Sequence, residues 1–135
     1  MELTFAEVEK LVAKIKEAIE NDMYAIDFSK DKNASFISEY LASEERLKNI
    51  LLSLDVYDYS EARESDSNNF AGHIVYIFGK EATFIEQSNY QPIEVPLYIK
   101  LDYISNEFVF VISFHRQEWP LKYAFSKEGE EDVTT

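Results

Sequence analysis

Three consecutive stretches decide the fold: Leu97-Tyr98-Ile99-Lys100-Leu101-Asp102-Tyr103, then Ile104-Ser105-Asn106-Glu107, then Phe108-Val109-Phe110-Val111-Ile112-Ser113-Phe114. The first and third alternate at period two, as half-buried strands do, and the second is a short polar link. The pattern predicts an antiparallel hairpin. Pro96 stands at its entry, where a missing amide donor does least harm to a ladder. Leu97, Ile99, Leu101 and Tyr103 point one way, and Phe108, Phe110, Ile112 and Phe114 form the matching apolar set. For both sets to face one core, Tyr103 must pair with Phe108 and Leu97 with Phe114, because a one-residue slip turns a whole set into water. The opposite face then carries Tyr98, Lys100 and Asp102 beside Val109, Val111, Ser113 and His115. In that register Tyr98 lies opposite Ser113, with His115 one diagonal step away and Lys100 one step along.

Working outward, Ile74 to Phe78 reads as a further strand, ended by Gly79-Lys80-Glu81, and Thr83 to Glu86 as a short one in an ambiguous stretch. Before Gly72 the period is helical. Thr4-Phe5-Ala6-Glu7 fits a capping box, and Phe5, Val8, Leu11, Val12, Ile15, Ala18 and Ile19 make one apolar stripe behind it. Tyr24, Ile26 and Phe28 alternate as a short strand or extended connector, and residues 29–33 read as a loop. A second helical region, starting near Asn33 or Ser35 and running to Leu54, breaks at Ala42-Ser43, where Ser43 caps a new helix. Residues 61–69, acidic and rich in Ser and Asn, read as a mobile loop. The expected architecture is α+β: N-terminal helices packed on a twisted antiparallel sheet containing residues 73–79, 94–104 and 107–115. Residues 1–126 form one domain in this reading, and 127–135 a disordered acidic tail.

Composition bounds the function. A chain of 135 residues, 46% hydrophobic and with three Gly and three Pro, holds one core and is neither disordered nor fibrous in composition. It contains no Cys, which excludes disulfides and thiolate metal sites and suits a reducing, cytoplasmic setting. The first residues enter an amphipathic pattern rather than a signal peptide, and no apolar run is long enough to span a bilayer, so no membrane association is expected. Thirteen Lys and Arg against twenty-six Asp and Glu give a net charge of −13, which repels nucleic acid at long range. The charge is uneven, however. Residues 55–70 carry five acids and one base, whereas residues 97–125 balance three of each. A nucleic-acid surface, if there is one, belongs to the C-terminal part.

The hairpin also brings together groups with useful chemistry. Metal-free RNA cleavage needs a base for the 2′-hydroxyl proton, a cation for the developing phosphorane, and an acid for the departing 5′-oxygen. His115 can exchange protons near neutral pH. Lys100 supplies charge, and Tyr98 can orient a phosphate or stack on a base. Against this, a strand Lys often serves only to discourage edge pairing, and a lone His is most often a satisfied surface residue. Other constellations fail: Gly72, Gly79 and Gly129 are isolated, and His73 and His115 lie far apart with no metal-ligand spacing. Neither a metal nor another cofactor is expected.

From Leu54 to Phe125 the chain resembles the MqsR-type toxins, a branch of the RelE-like mRNA interferases. The resemblance rests on Leu54-Asp55-Val56-Tyr57-Asp58-Tyr59, Tyr76-Ile77-Phe78-Gly79-Lys80-Glu81, Leu97-Tyr98-Ile99-Lys100-Leu101, Val111-Ile112-Ser113-Phe114-His115 and Pro120-Leu121-Lys122-Tyr123, in that order. It implies a RelE-like fold and cofactor-free cleavage of mRNA, with or without the ribosome, by the toxin of a toxin–antitoxin pair. It also implies a cognate antitoxin as protein partner. Tyr98, Lys100 and His115 are the catalytic candidates, with Ser113, Arg116, Lys122, Tyr123 and Lys80 as substrate-binding candidates. The net charge keeps two other functions open: an acidic inhibitor that mimics nucleic acid, and a RelE-like binding module without catalysis.

Overall fold

The computed structural model describes residues 1–65, 72–105 and 107–126. These residues form an α+β fold in which helices precede most of a five-stranded sheet. Helix α1 (Phe5–Glu20) starts where the capping box predicts: Glu7 N donates to Thr4 Oγ1 at 3.2 Å, and Thr4 N to Glu7 Oε1 at 2.8 Å. Its stripe of Val8, Val12, Ile15, Ala18 and Ile19 is buried. Strand β1 (Tyr24–Ile26), helix α2 (Asp31–Glu39) and helix α3 (Glu44–Leu52) follow, α3 being capped by Ser43 as expected. After a 3-10 turn at Val56–Asp58 come β2 (Tyr59–Glu64), β3 (Ile74–Ile85), β4 (Pro92–Ile104) and β5 (Phe108–Arg116).

The sheet order is β1-β5-β4-β3-β2. Strands β2 to β5 pair antiparallel, and β1 joins the edge of β5 in parallel. One face of the sheet, with Phe78, Phe84, Val95, Leu97, Ile99, Leu101, Val109, Val111 and Phe114, shares a core with the buried stripes of all three helices. Burial of this apolar face is the main term holding the layers together.

Several expectations change. The hairpin pairs, but Ile104 faces Phe108 and Tyr103 faces Val109, one step from the expected register. A β-bulge at Ile112 then shifts the ladder again, so that Lys100 faces Ser113, Ile99 faces Phe114 and Tyr98 faces His115. Val109 and Val111, expected outside, are buried in the core, while Phe108 and Phe110 stand half-buried on the other face. Helix α2 begins at Asp31, inside the expected loop, and Asn33, at the expected start, is a buried side-chain partner of β5 within its first turn. Residues 61–64 belong to β2, not to a loop: a register irregularity after Tyr59 breaks the alternation, so only Tyr59 and Ala62 are buried and the strand reads as polar. Strand β3 continues through the ambiguous stretch to Ile85. Ser65 N still donates to His73 O at 2.8 Å, while residues 66–69 of the expected mobile loop and the expected tail, 127–135, lie outside the described residues.

Candidate functional site

The bulge decides what the site contains. Had the ladder continued unshifted past Leu101 and Val111, Ser113 and His115 would point into the core. The extra residue, Ile112, instead turns both onto the face of Tyr98 and Lys100 and sends Phe114 inward. Asn33 fixes this geometry from helix α2. Its Nδ2 donates to Ile112 O at 3.0 Å and to Asp27 O at 2.8 Å, and its Oδ1 accepts from Phe114 N at 2.8 Å. β1 leaves β5 after Val111, and the Asn33 amide takes over the next groups of the β5 edge.

The resulting site is a cavity of about 160 Å³ lined by Lys30, Lys32, Arg63, Tyr98, Lys100, Ser113, His115, Glu118 and Trp119. That is space for roughly five water molecules at liquid density, enough for a phosphate group. Four cations and one carboxylate border it, in a chain of net charge −13. Lys32 pairs with Glu118 at 2.5 Å and Arg63 with Glu61 at 3.5 Å. Lys30 Nζ donates to Ser113 Oγ at 2.6 Å, which brings the start of α2 to the middle of β5.

His115 is only 7% exposed and lies stacked on Tyr98, with ring centroids 5.3 Å apart and planes 16° from parallel. Its Nδ1 faces the Arg116 carbonyl oxygen at 2.9 Å. A carbonyl can only accept, so Nδ1 carries the proton and, in the neutral ring, Nε2 keeps a lone pair. Burial pushes the His115 pKa down, against the Arg116 carbonyl, and nearby Lys30 and Lys32 add to the effect. The imidazole is therefore neutral at neutral pH and ready to accept a proton. Burial also lowers the Lys30 pKa, with Lys32 reinforcing it and Asp27 opposing it. The hydrogen bond from Lys32 holds the Glu118 carboxyl below its usual value.

Of the residues singled out in the sequence, Tyr98, Lys100, Ser113 and His115 come together here. Lys80 does not. It faces Leu97 on the helix side of the sheet and pairs with Asp58 at 3.1 Å. Arg116 also turns to that side, its Nη1 3.4 Å from Tyr40 Oη. Lys122 meets the start of β2 through its backbone oxygen, which accepts from Ser60 Oγ at 2.6 Å. Tyr123 lies over Gly79, on the ladder neighbour of Tyr98, so it borders the face without lining the cavity. Sequence reasoning missed Lys30, Lys32, Arg63 and Trp119. Lys30 and Lys32 sat in the predicted loop and Arg63 in the predicted acidic one, and only tertiary pairing reveals them.

A second pair lies further along the same face. His73 Nδ1 is 2.5 Å from Oδ2 of Asp102, whose side chain is buried. Among the described residues, no group of three or more His, Asp or Glu stands together where a metal ion could be held. No helix among them is long and apolar enough to cross a membrane. No family model, curated protein or solved structure matches this chain.

Proposed function

We propose that the chain is the toxin of a toxin–antitoxin pair, a cytoplasmic, metal-independent endoribonuclease that cuts mRNA. The observation that carries this reading is the Tyr98–His115 stack, which sets a buried, neutral imidazole into a cavity rimmed by four cations. Cations gathered at one point of an acidic chain favour an anionic ligand there. In this reading His115 Nε2 takes the 2′-hydroxyl proton, and the 2′-oxygen attacks phosphorus. Lys100 and Arg63 stabilise the charge that develops on the phosphorane. Lys30, its ammonium made more acidic by burial, protonates the 5′-oxygen as its bond to phosphorus breaks. The products are a 2′,3′-cyclic phosphate and a 5′-hydroxyl. A cognate antitoxin covers or distorts this face.

Induced expression tests the proposal in cells. Growth should arrest, and His115→Ala should relieve the arrest while circular dichroism shows the fold retained. Arrest that persists in His115→Ala would remove the imidazole from the mechanism.

The charge of −13 favours a second reading, an acidic protein that inhibits a basic partner by mimicking nucleic acid. That protein would bind its partner in a salt-sensitive way and leave RNA intact.

A further inference from the structure

Trp119 is the only tryptophan of the chain, and it is 64% exposed at the rim of the cation-lined cavity. A single exposed aromatic ring needs no explanation by itself. This one differs in its support and its neighbours. Two residues before it, Gln117 N donates to Pro96 O at 2.8 Å and Gln117 Nε2 to Leu97 O at 2.9 Å. The residue before it, Glu118, is tied to Lys32. The residue after it is Pro120, which restricts the Trp119 backbone to extended conformations. Beyond that, Leu121 rests against Gly79. The indole therefore stands on a backbone anchored on both sides, next to Lys100, Lys30 and Tyr98.

A cationic groove bordered by a pre-positioned aromatic ring is the arrangement that holds single strands, because a base stacks on the ring while its phosphate meets the cations. A duplex cannot use it, since its base faces are already stacked on one another. Building on the nuclease reading of this cavity, we infer that its substrate is single-stranded, with an unpaired base stacked on Trp119 next to the phosphate held by Lys100, Lys30 and Arg63.

The single tryptophan is its own probe. Titration with an uncleavable 2′-O-methyl hexaribonucleotide should quench its emission saturably, whereas the same oligonucleotide in a duplex, or inorganic tripolyphosphate, should not. With a labelled oligonucleotide followed by anisotropy, Trp119→Ala should weaken binding about 5- to 150-fold, the range of one stacked base. Trp119→Phe should recover most of that loss, which a merely structural role for the indole would not predict. Unchanged emission with the single strand, equal quenching by the duplex, or wild-type affinity in Trp119→Ala would overturn the inference. The outcomes separate from those of the nuclease reading. RNA cut with no change at Trp119 sinks only the stacking, and stacking without any cleavage sinks only the nuclease.

Discussion

The ring of His115 lies stacked on the ring of Tyr98, 5.3 Å between centroids, as direct cross-strand partners in the β4–β5 ladder. The stack shields one face of the imidazole, the Arg116 carbonyl fixes its tautomer, and burial keeps it neutral. An imidazole kept neutral in this way does not need to lose a proton before it accepts one.

That burial has a consequence for stability. The folded pKa of His115 lies below its ordinary value of 6.5, so below that pH the unfolded chain binds the proton more readily than the folded one. The stabilisation is fully present above about pH 6.5 and is lost as pH falls through the folded pKa. Urea unfolding at pH 7.5 and at pH 5 should show the wild type losing more stability than His115→Gln. Equal losses in the two proteins would contradict the burial argument.

Asn33 is 1% exposed, and its side-chain amide makes three hydrogen bonds to backbone groups around the bulge. Asn33→Leu strands buried donors and acceptors at a cost of about 1–3 kcal/mol each. Denaturant midpoints should fall accordingly. Because the bulge turns Ser113 and His115 outward, the variant should also lose whatever activity the site has, more steeply than its stability.

Gly79 is where the segment after β5 crosses the sheet. A Cβ there would lie 2.5 Å from Tyr123 Oη and 2.7 Å from Leu121 Cδ1. Gly79→Ala should therefore push these side-chain ends aside, at modest cost to global stability because no backbone atom has to move, and loosen the crossing segment. Limited proteolysis should then cut within residues 117–126 faster than in the wild type. An unchanged cleavage pattern would show that the crossing segment is not held at this point.

Particular residues show how much was legible in the sequence. The helix caps at Thr4 and Ser43 and the hairpin of β4 and β5 follow from local pattern, since each depends on residues a few positions apart. The register did not: the turn already pairs Ile104 with Phe108, one step from the expected register, and the bulge at Ile112, held by Asn33 about eighty positions away, shifts the ladder again. His115 was nonetheless placed on the correct face, through two compensating shifts: the expected register was one step off, and the bulge restored the parity. Lys30, which reaches Ser113, stands at the N-cap of an α2 that starts at Asp31, before the expected start near Asn33 or Ser35. Lys80 and Arg116 carry the right charge and sit on the wrong side of the sheet.

The cations of the cavity can be separated by their burial. Lys30→Met removes the partner of Ser113 and the proposed proton donor, whereas Lys32→Met removes a cation already paired with Glu118. Initial rates on an RNA oligonucleotide should fall far more for the first, by about 10²–10⁴-fold if Lys30 acts as the acid. A substrate with a better 5′-leaving group should restore much of that loss. Equal, modest losses in both variants would mean that Lys30 contributes charge alone.

Cleavage at the His115 cavity is tested most directly by incubating purified protein, free of any bound partner, with mRNA and translating ribosomes while the new ends are mapped. The cuts should leave 5′-hydroxyl and 2′,3′-cyclic phosphate ends, be abolished by a single 2′-deoxy substitution at the scissile nucleotide, and be slowed about 10²–10⁴-fold in His115→Ala. Intact mRNA, or cleavage that proceeds undiminished in His115→Ala, would contradict the nuclease reading.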